Sequence, residues 1–171
     1  MITGGHVAIS YLIAEDAKFL GVPLNGNQVL GIVLAGNLPD VDFLVGLVNG
    51  RRGELHHQNI THTPLGVFLI WLVILVLFKP DLAFSFILLA SMVTHLFIDD
   101  LGHIAAKLGI YQQVASPQIN WLYPFTSYSK HQLIRNNKEV LKHYLVKGWP
   151  IATIEVVLIL VALAVYLARV F

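Results

Sequence analysis

Cysteine is absent from the 171 residues. Disulfides, thiolate metal sites and cysteine nucleophiles are therefore excluded, and redox chemistry gives no information about compartment. Charge is scarce as well. Asp, Glu, Lys and Arg make up 12% of the chain, about half of the roughly 25% usual in soluble domains. That is too little to cover the surface of an ordinary soluble domain. Neither sign dominates: eleven Lys and Arg face ten Asp and Glu, for a net charge of +1 with His neutral. A nucleic-acid partner is not expected from such a balance. Positions 1–10 hold no Lys or Arg, so the basic n-region of a secretory signal is missing. The chain also lacks internal repeats and low-complexity tracts.

What the chain has is apolar bulk and histidine. Hydrophobic residues are 56% of the total and the mean hydropathy is +0.70, which excludes a disordered chain. Eight His stand beside ten carboxylates. The composition predicts an all-α integral membrane helical bundle, folded as a single domain over 1–171.

The spans follow from the uncharged runs. Leu65 to Phe78 and Leu82 to Ile98 flank Lys79-Pro80-Asp81, a turn signal, and predict a hairpin of helices at about 64–79 and 82–99. A run of this length rises about 26 Å, short of the ~30 Å hydrocarbon thickness. A further apolar helix is expected at about 150–169. Pro150 suits its first turn, and Glu155 is a charge that either snorkels or faces the bundle. Two shorter apolar helices at about 6–20 and 24–38, separated by Gly21-Val22-Pro23, read as another hairpin, spanning or re-entrant. Asn37-Leu38-Pro39-Asp40 ends it. Positions 104–124 read as a loop or lid with short structure. Positions 129–148 place Leu133, Ile134, Val140, Leu141, Tyr144 and Leu145 at helical spacing, among Lys130, Arg135, Lys138, Lys142 and Lys147. This is a basic amphipathic helix, either lying on anionic lipid or packed on the protein as a solvated helix. About five apolar helices and one amphipathic helix result.

With the chain starting on one side, the connections 39–63 and 100–149 return to that side. They carry eight Lys and Arg, against Lys18, Lys79 and Arg169 on the other. The positive-inside rule makes the richer side cytoplasmic. This topology gathers His6, Asp40, Asp42, His56, His57, His62, His95, Asp99 and His103 at one membrane face. His95 and Asp99, four apart on a helix, share a face about 6 Å apart along the axis. They suit one shared metal, two bridged metals, or a plain Asp–His hydrogen bond. His57 and His62 stand at a loop-to-helix junction, where Thr61 or Thr63 caps and Pro64 opens the helix. Ionisable groups at a membrane are costly and tend to be functional. Imidazole and carboxylate donors suit Zn²⁺ above all, as one or two ions, or Mn²⁺ or Fe²⁺.

These residues carry a resemblance. Asn37-Leu38-Pro39-Asp40-Val41-Asp42 resembles the LPDxD element of the YdjM-like membrane-bound metal-dependent hydrolases. His57 to Thr63 resembles their HRxxTHS element, with Gln58 in place of Arg, and His95 to Asp99 their HxxxD element. Trp121-Leu122-Tyr123-Pro124-Phe125 is similar to their closing LxxPF-type segment, and His6 matches an early His. The His and HxxxD pattern also has a more distant likeness to zinc-dependent phospholipase C. The resemblance implies a metal-dependent hydrolase without naming a substrate.

The expectation is hydrolysis of a phosphoester, on a lipid or lipid-linked amphiphilic substrate, at the cytoplasmic face of the inner or plasma membrane. The expected ligands are His6, Asp40, His57, His62, His95 and Asp99, with His56 and His103 as further donors. Asp42, or whichever of Asp40 and Asp42 is not a ligand, is the expected general base. Trp121, Tyr123 and Phe125 are expected to line the approach of the substrate, and Lys130 and Arg135 to meet its phosphate. The competing reading is a non-enzymatic membrane protein with a structural or transported divalent metal, its shell closed by the same residues. Haem ligation needs facing His within the spans, and only His95 is near such a place.

Overall fold

The computed structural model describes residues 3–41, 60–109, 119–126 and 149–171. Among these residues it is all-helical, with no strand. The helices are α1 (Thr3–Phe19), α2 (Gly26–Gly36), α3 (Pro64–Phe78), α4 (Leu82–Asp99), α5 (Leu101–Lys107) and α6 (Trp149–Val170). Two 3-10 turns, Leu38–Asp40 and Ile60–His62, follow α2 and precede α3.

Local chemistry sets the ends. Asn25 opens α2 through a reciprocal capping box: its side chain accepts from Gln28 N at 3.0 Å, and Gln28 Oε1 accepts from Asn25 N at 2.9 Å. The helix starts at 26 rather than 24 for that reason. It stops at 36 rather than 38 because Pro39 has no N–H to carry the α-helical ladder on, and the chain continues as a 3-10 turn. Of the two threonines before α3, Thr63 is the cap, accepting from Gly66 N at 3.0 Å with Pro64 at the first helical position. Lys79 ends α3 in the left-handed region, and Asp81 caps α4 by accepting from Phe84 N. α4 covers the expected 82–99 and α6 exceeds the expected 150–169 by one residue at each end.

The stretch expected from 104 as a loop or lid with short structure begins inside the seven-residue α5. Leu101, Ile104, Ala105 and Leu108 stand at the i, i+3, i+4, i+7 spacing of a helix face. A window opened at Ile104 loses the first of them, so the period is invisible. The amphipathic helix expected at 129–148 lies outside the described residues.

α4 lies centrally, against α1, α2 and α3, while α1 also packs on α2 and α6. Ala14, Ile32, Ala35, Val67, Leu88, Met92 and Leu96 form the apolar core, with Ile119 joining from the 119–126 segment. Gly36 marks where three helices meet. A Cβ there would overlap both Ser10 Oγ of α1 and Ser91 Oγ of α4, and Ser91 Oγ donates to Ile32 O at 3.2 Å. α1 and α6 run parallel: Gly5 meets Glu155 near both starts, Tyr11 meets Tyr166 edge-on, and Glu15 meets Arg169 near both ends.

Among the described residues two helices, α4 and α6, are long and apolar enough to cross a membrane. α6 has a mean hydropathy of 2.6 over its most apolar stretch, yet only 11% of that stretch is buried. The core helix of a soluble protein would be covered; this one presents its apolar surface outward, as lipid contact requires. α2 and α3 are apolar but shorter. The 11 residues of α2 rise about 16 Å, roughly half of the hydrocarbon thickness.

Candidate metal centre

Four elements deliver polar side chains to one end of the bundle. His6 stands in the opening turns of α1, Asp40 closes the 3-10 turn after α2, and His62 closes the turn before α3. His95 and Asp99 sit on the last turn of α4, one above the other. His6, His62, His95 and Asp99 are buried. The Asp40 side chain is 19% exposed, which makes it the member of the group nearest to solvent.

The donor atoms converge. His95 Nε2 lies 3.3 Å from Asp40 Oδ1 and 3.2 Å from Asp99 Oδ2. His62 Nε2 lies 3.4 Å from the same Asp40 oxygen and 3.7 Å from the same Asp99 oxygen. The four atoms all fall within 4.8 Å of one another. His6 Nε2 reaches the other Asp99 oxygen, Oδ1, at 3.0 Å, and its ring stacks on His95 with centroids 3.8 Å apart. Asp99 thus faces three imidazoles, two on one oxygen and one on the other.

Two arguments show that these residues fit a metal ion. The first is geometric. Ligands about 2.1 Å from a tetrahedral centre lie about 3.4 Å from each other, and the four measured separations run from 3.2 to 3.7 Å. His95 Nε2 has two carboxylate oxygens at that range, one from Asp40 and one from Asp99. The second is chemical. Two carboxylate oxygens and two imidazole nitrogens, three of the four residues buried, are the hard and borderline donors that a divalent cation takes. Two nitrogens and two oxygens suit Zn²⁺, Mn²⁺ or Fe²⁺.

The remaining sequence candidates fall into two groups. Asp42, His56, His57, Lys130 and Arg135 lie outside the described residues. His103 sits on α5, apart from the four-donor group. Trp121 is beside the site: its ring meets Phe97 at 4.6 Å, and its Nε1 donates to Asp100 Oδ2 at 2.8 Å. The segment around it is closed by Asn120 and Thr126, which exchange two hydrogen bonds. Tyr123 is half-buried and Phe125 is exposed.

Of the buried carboxylates not assigned to the site from the sequence, Glu15, Asp100 and Glu155, the last two touch residues next to it. Asp100 is buried next to Asp99 and holds Trp121. Its signal was present as a second carboxylate at a helix end in a chain poor in charge. Glu155 is buried too, and faces the bundle rather than snorkelling: its Oε1 accepts from Gly5 N at 3.0 Å.

An apolar helical bundle with imidazoles and carboxylates buried together at one end defines a helical membrane protein with a candidate metal site. The chain belongs to the YdjM inner membrane protein family, whose family model matches residues 1–171. No curated protein and no solved structure matches the chain.

Proposed function

We propose that the chain is a membrane-bound metal-dependent hydrolase acting on a phosphoester of a lipid or lipid-linked substrate at the cytoplasmic face. The observation that carries the reading is the convergence of Asp40, His62, His95 and Asp99 at one end of an apolar bundle, with Asp40 open to solvent. When bound, a divalent ion supplies Lewis acidity there, polarising an ester oxygen and making water acidic enough to attack near neutral pH. His62, His95 and Asp99, all buried, would hold the ion. Asp40 would complete the shell at its exposed edge, and Asp42, the carboxylate that is not a ligand, would orient water and take its proton as general base. His6 fixes Asp99 through Oδ1, as partners of ligating carboxylates do; His57, with His56 and His103, supplies donors if a second ion is held.

The amphiphilic substrate is argued from position. Apolar helices surround the donors, so a lipid keeps its tails in the bilayer while its headgroup meets Asp40. A groove of about 380 Å³ between α1 and α6 is lined by Gly4, Val7, Ala8, Ile159 and Leu163. It offers an apolar tail a place along α1. Trp121, Tyr123 and Phe125 flank the headgroup, with Lys130 and Arg135 meeting its phosphate. In this reading the bundle has five apolar helices, and the basic 129–148 helix lies on anionic lipid.

Burial of three of the four donors favours a second reading, a structural or transported metal in a closed shell. Cobalt-loaded protein in detergent separates the two. Inorganic phosphate should change the cobalt spectrum if a coordination position is open, and leave it unchanged if the shell is closed. Hydrolysis is tested on phosphatidylethanolamine, phosphatidylglycerol and phosphatidic acid in mixed micelles. Zinc-loaded protein should release product from at least one, and His95→Ala and Asp99→Ala should lose more than about 100-fold of that rate, since even residues behind the ligands cost 10–100-fold. No hydrolysis across the panel, with metal bound and phosphate without effect, would put the closed-shell reading ahead.

A further inference from the structure

Glu155 is the one carboxylate of α6, and Arg169 near the far end is its one cation. The glutamate is 5% exposed within a stretch of mean hydropathy 2.6. A carboxylate in such a place is costly and is kept where it has work. Its Oε1 accepts from the Gly5 backbone N–H at 3.0 Å, across 150 positions of sequence. Gly5 lies in the first turn of α1, where N–H groups have no partner within the helix and the dipole favours an anion. The neighbouring backbone is close enough that a Cβ on Gly4 would lie 3.9 Å from the same glutamate oxygen and 3.3 Å from Ile159 Cδ1. The residue after Gly5 is His6, which meets Asp99 at 3.0 Å and stacks on His95.

We infer that Glu155 is a positioning residue for the metal centre: it holds the first turn of α1 through Gly5 and so sets His6 against Asp99 and His95. The inference rests on the metal reading of the centre. It makes α6, which contributes no donor to the four-atom group, part of the site's support. A glutamate that merely fastened α6 to α1 would affect stability alone.

Cobalt(II) titration of the full chain in detergent separates these roles. Glu155→Ala should weaken cobalt binding about tenfold or more, the loss usual for partners behind metal ligands. Glu155→Gln keeps an acceptor for Gly5 N–H and should stay within about threefold of wild type by the same scale. On a His6→Ala background, Glu155→Ala should have no further effect, because it acts through His6. Unchanged cobalt affinity in Glu155→Ala, with lower thermal stability of the metal-free chain, would overturn the inference. Glu155→Leu, which suits the bilayer, replaces Glu155→Ala if the latter does not fold. If the wild type binds no cobalt, the metal reading falls, and the imidazole nitrogen NMR signals of His6 in the metal-free chain decide the coupling. A His6 signal that moves in Glu155→Leu supports it; an identical signal refutes it.

Discussion

Asp99 meets His6 through Oδ1 and both His62 and His95 through Oδ2. Its two oxygens therefore have different roles, one facing the proposed ion and one facing the residue that steadies it. Asp99→Asn preserves the shape and removes the charge. It should lower zinc affinity by more than about 100-fold, whereas His6→Ala should lower it by only about 10–100-fold, the range for residues behind ligands. Competition with a chromogenic chelator measures both. Equal losses would make His6 a direct ligand, as the sequence reading had it. The i, i+4 pair of His95 and Asp99 was legible in the sequence because helix geometry alone places the two side chains together. The division between a ligand and a residue behind it was not legible, since it depends on which oxygen faces which ring. Glu155 and Gly5 were illegible as a pair for a related reason: 150 residues separate them, and no local period connects them.

At the scale of elements, the short turn Ile60–His62 has to hold His62 steady, and α3 does this with its own first turn. Thr63 Oγ1 donates to Ile60 O at 2.7 Å and accepts from Gly66 N at 3.0 Å, so one hydroxyl ties the turn to the helix. Gly66 is required by the same close approach, because a Cβ there would overlap the Ile60 carbonyl. Thr63→Ala should cost about 1–2 kcal/mol, the usual loss for a cap, and Thr63→Ser much less. Gly66→Ala should do more than destabilise. It pushes the backbone of the turn away, displaces His62, and should leave the purified protein with little metal by elemental analysis. Full metal content in Gly66→Ala would mean that the turn does not need this packing. Gly36→Ala serves as a comparison, because it crowds Ser10 and Ser91, one helical turn from His6 and His95, without touching the turn that carries His62. It should lower thermal stability by about 1–3 kcal/mol, the cost of overpacking, with metal retained. Helix ends of this kind were largely legible: Thr63-Pro64, Pro39 and Asp81 each announce a boundary by local chemistry. α5 was legible only as short structure, because a short helix offers little period to read.

At the scale of the whole molecule, the parallel run of α1 and α6 ties the ends of the chain to a definite sidedness. Spanning helices that start on the same side require an odd number of crossings between them. The donors stand at the starting end of α1, and Arg169 and Phe171 lie at the other. The excess of Lys and Arg in 39–63 and 100–149 predicts that the donor end is cytoplasmic. The missing cysteine makes this directly testable, since any thiol introduced is the only one present. Leu108, beyond α5 on the donor side, and Phe171, beyond α6 on the other, are both exposed. In intact cells with a permeable outer membrane, a maleimide that cannot cross the inner membrane should label Phe171→Cys. It should label Leu108→Cys only after the inner membrane is opened. The reverse pattern would place the centre on the outer face and replace cytoplasmic lipid-linked phosphoesters with substrates of the outer leaflet. Labelling of both positions in intact cells would instead mean that α1 and α6 do not carry the chain across, and that the apolar surface of α6 meets another partner than lipid.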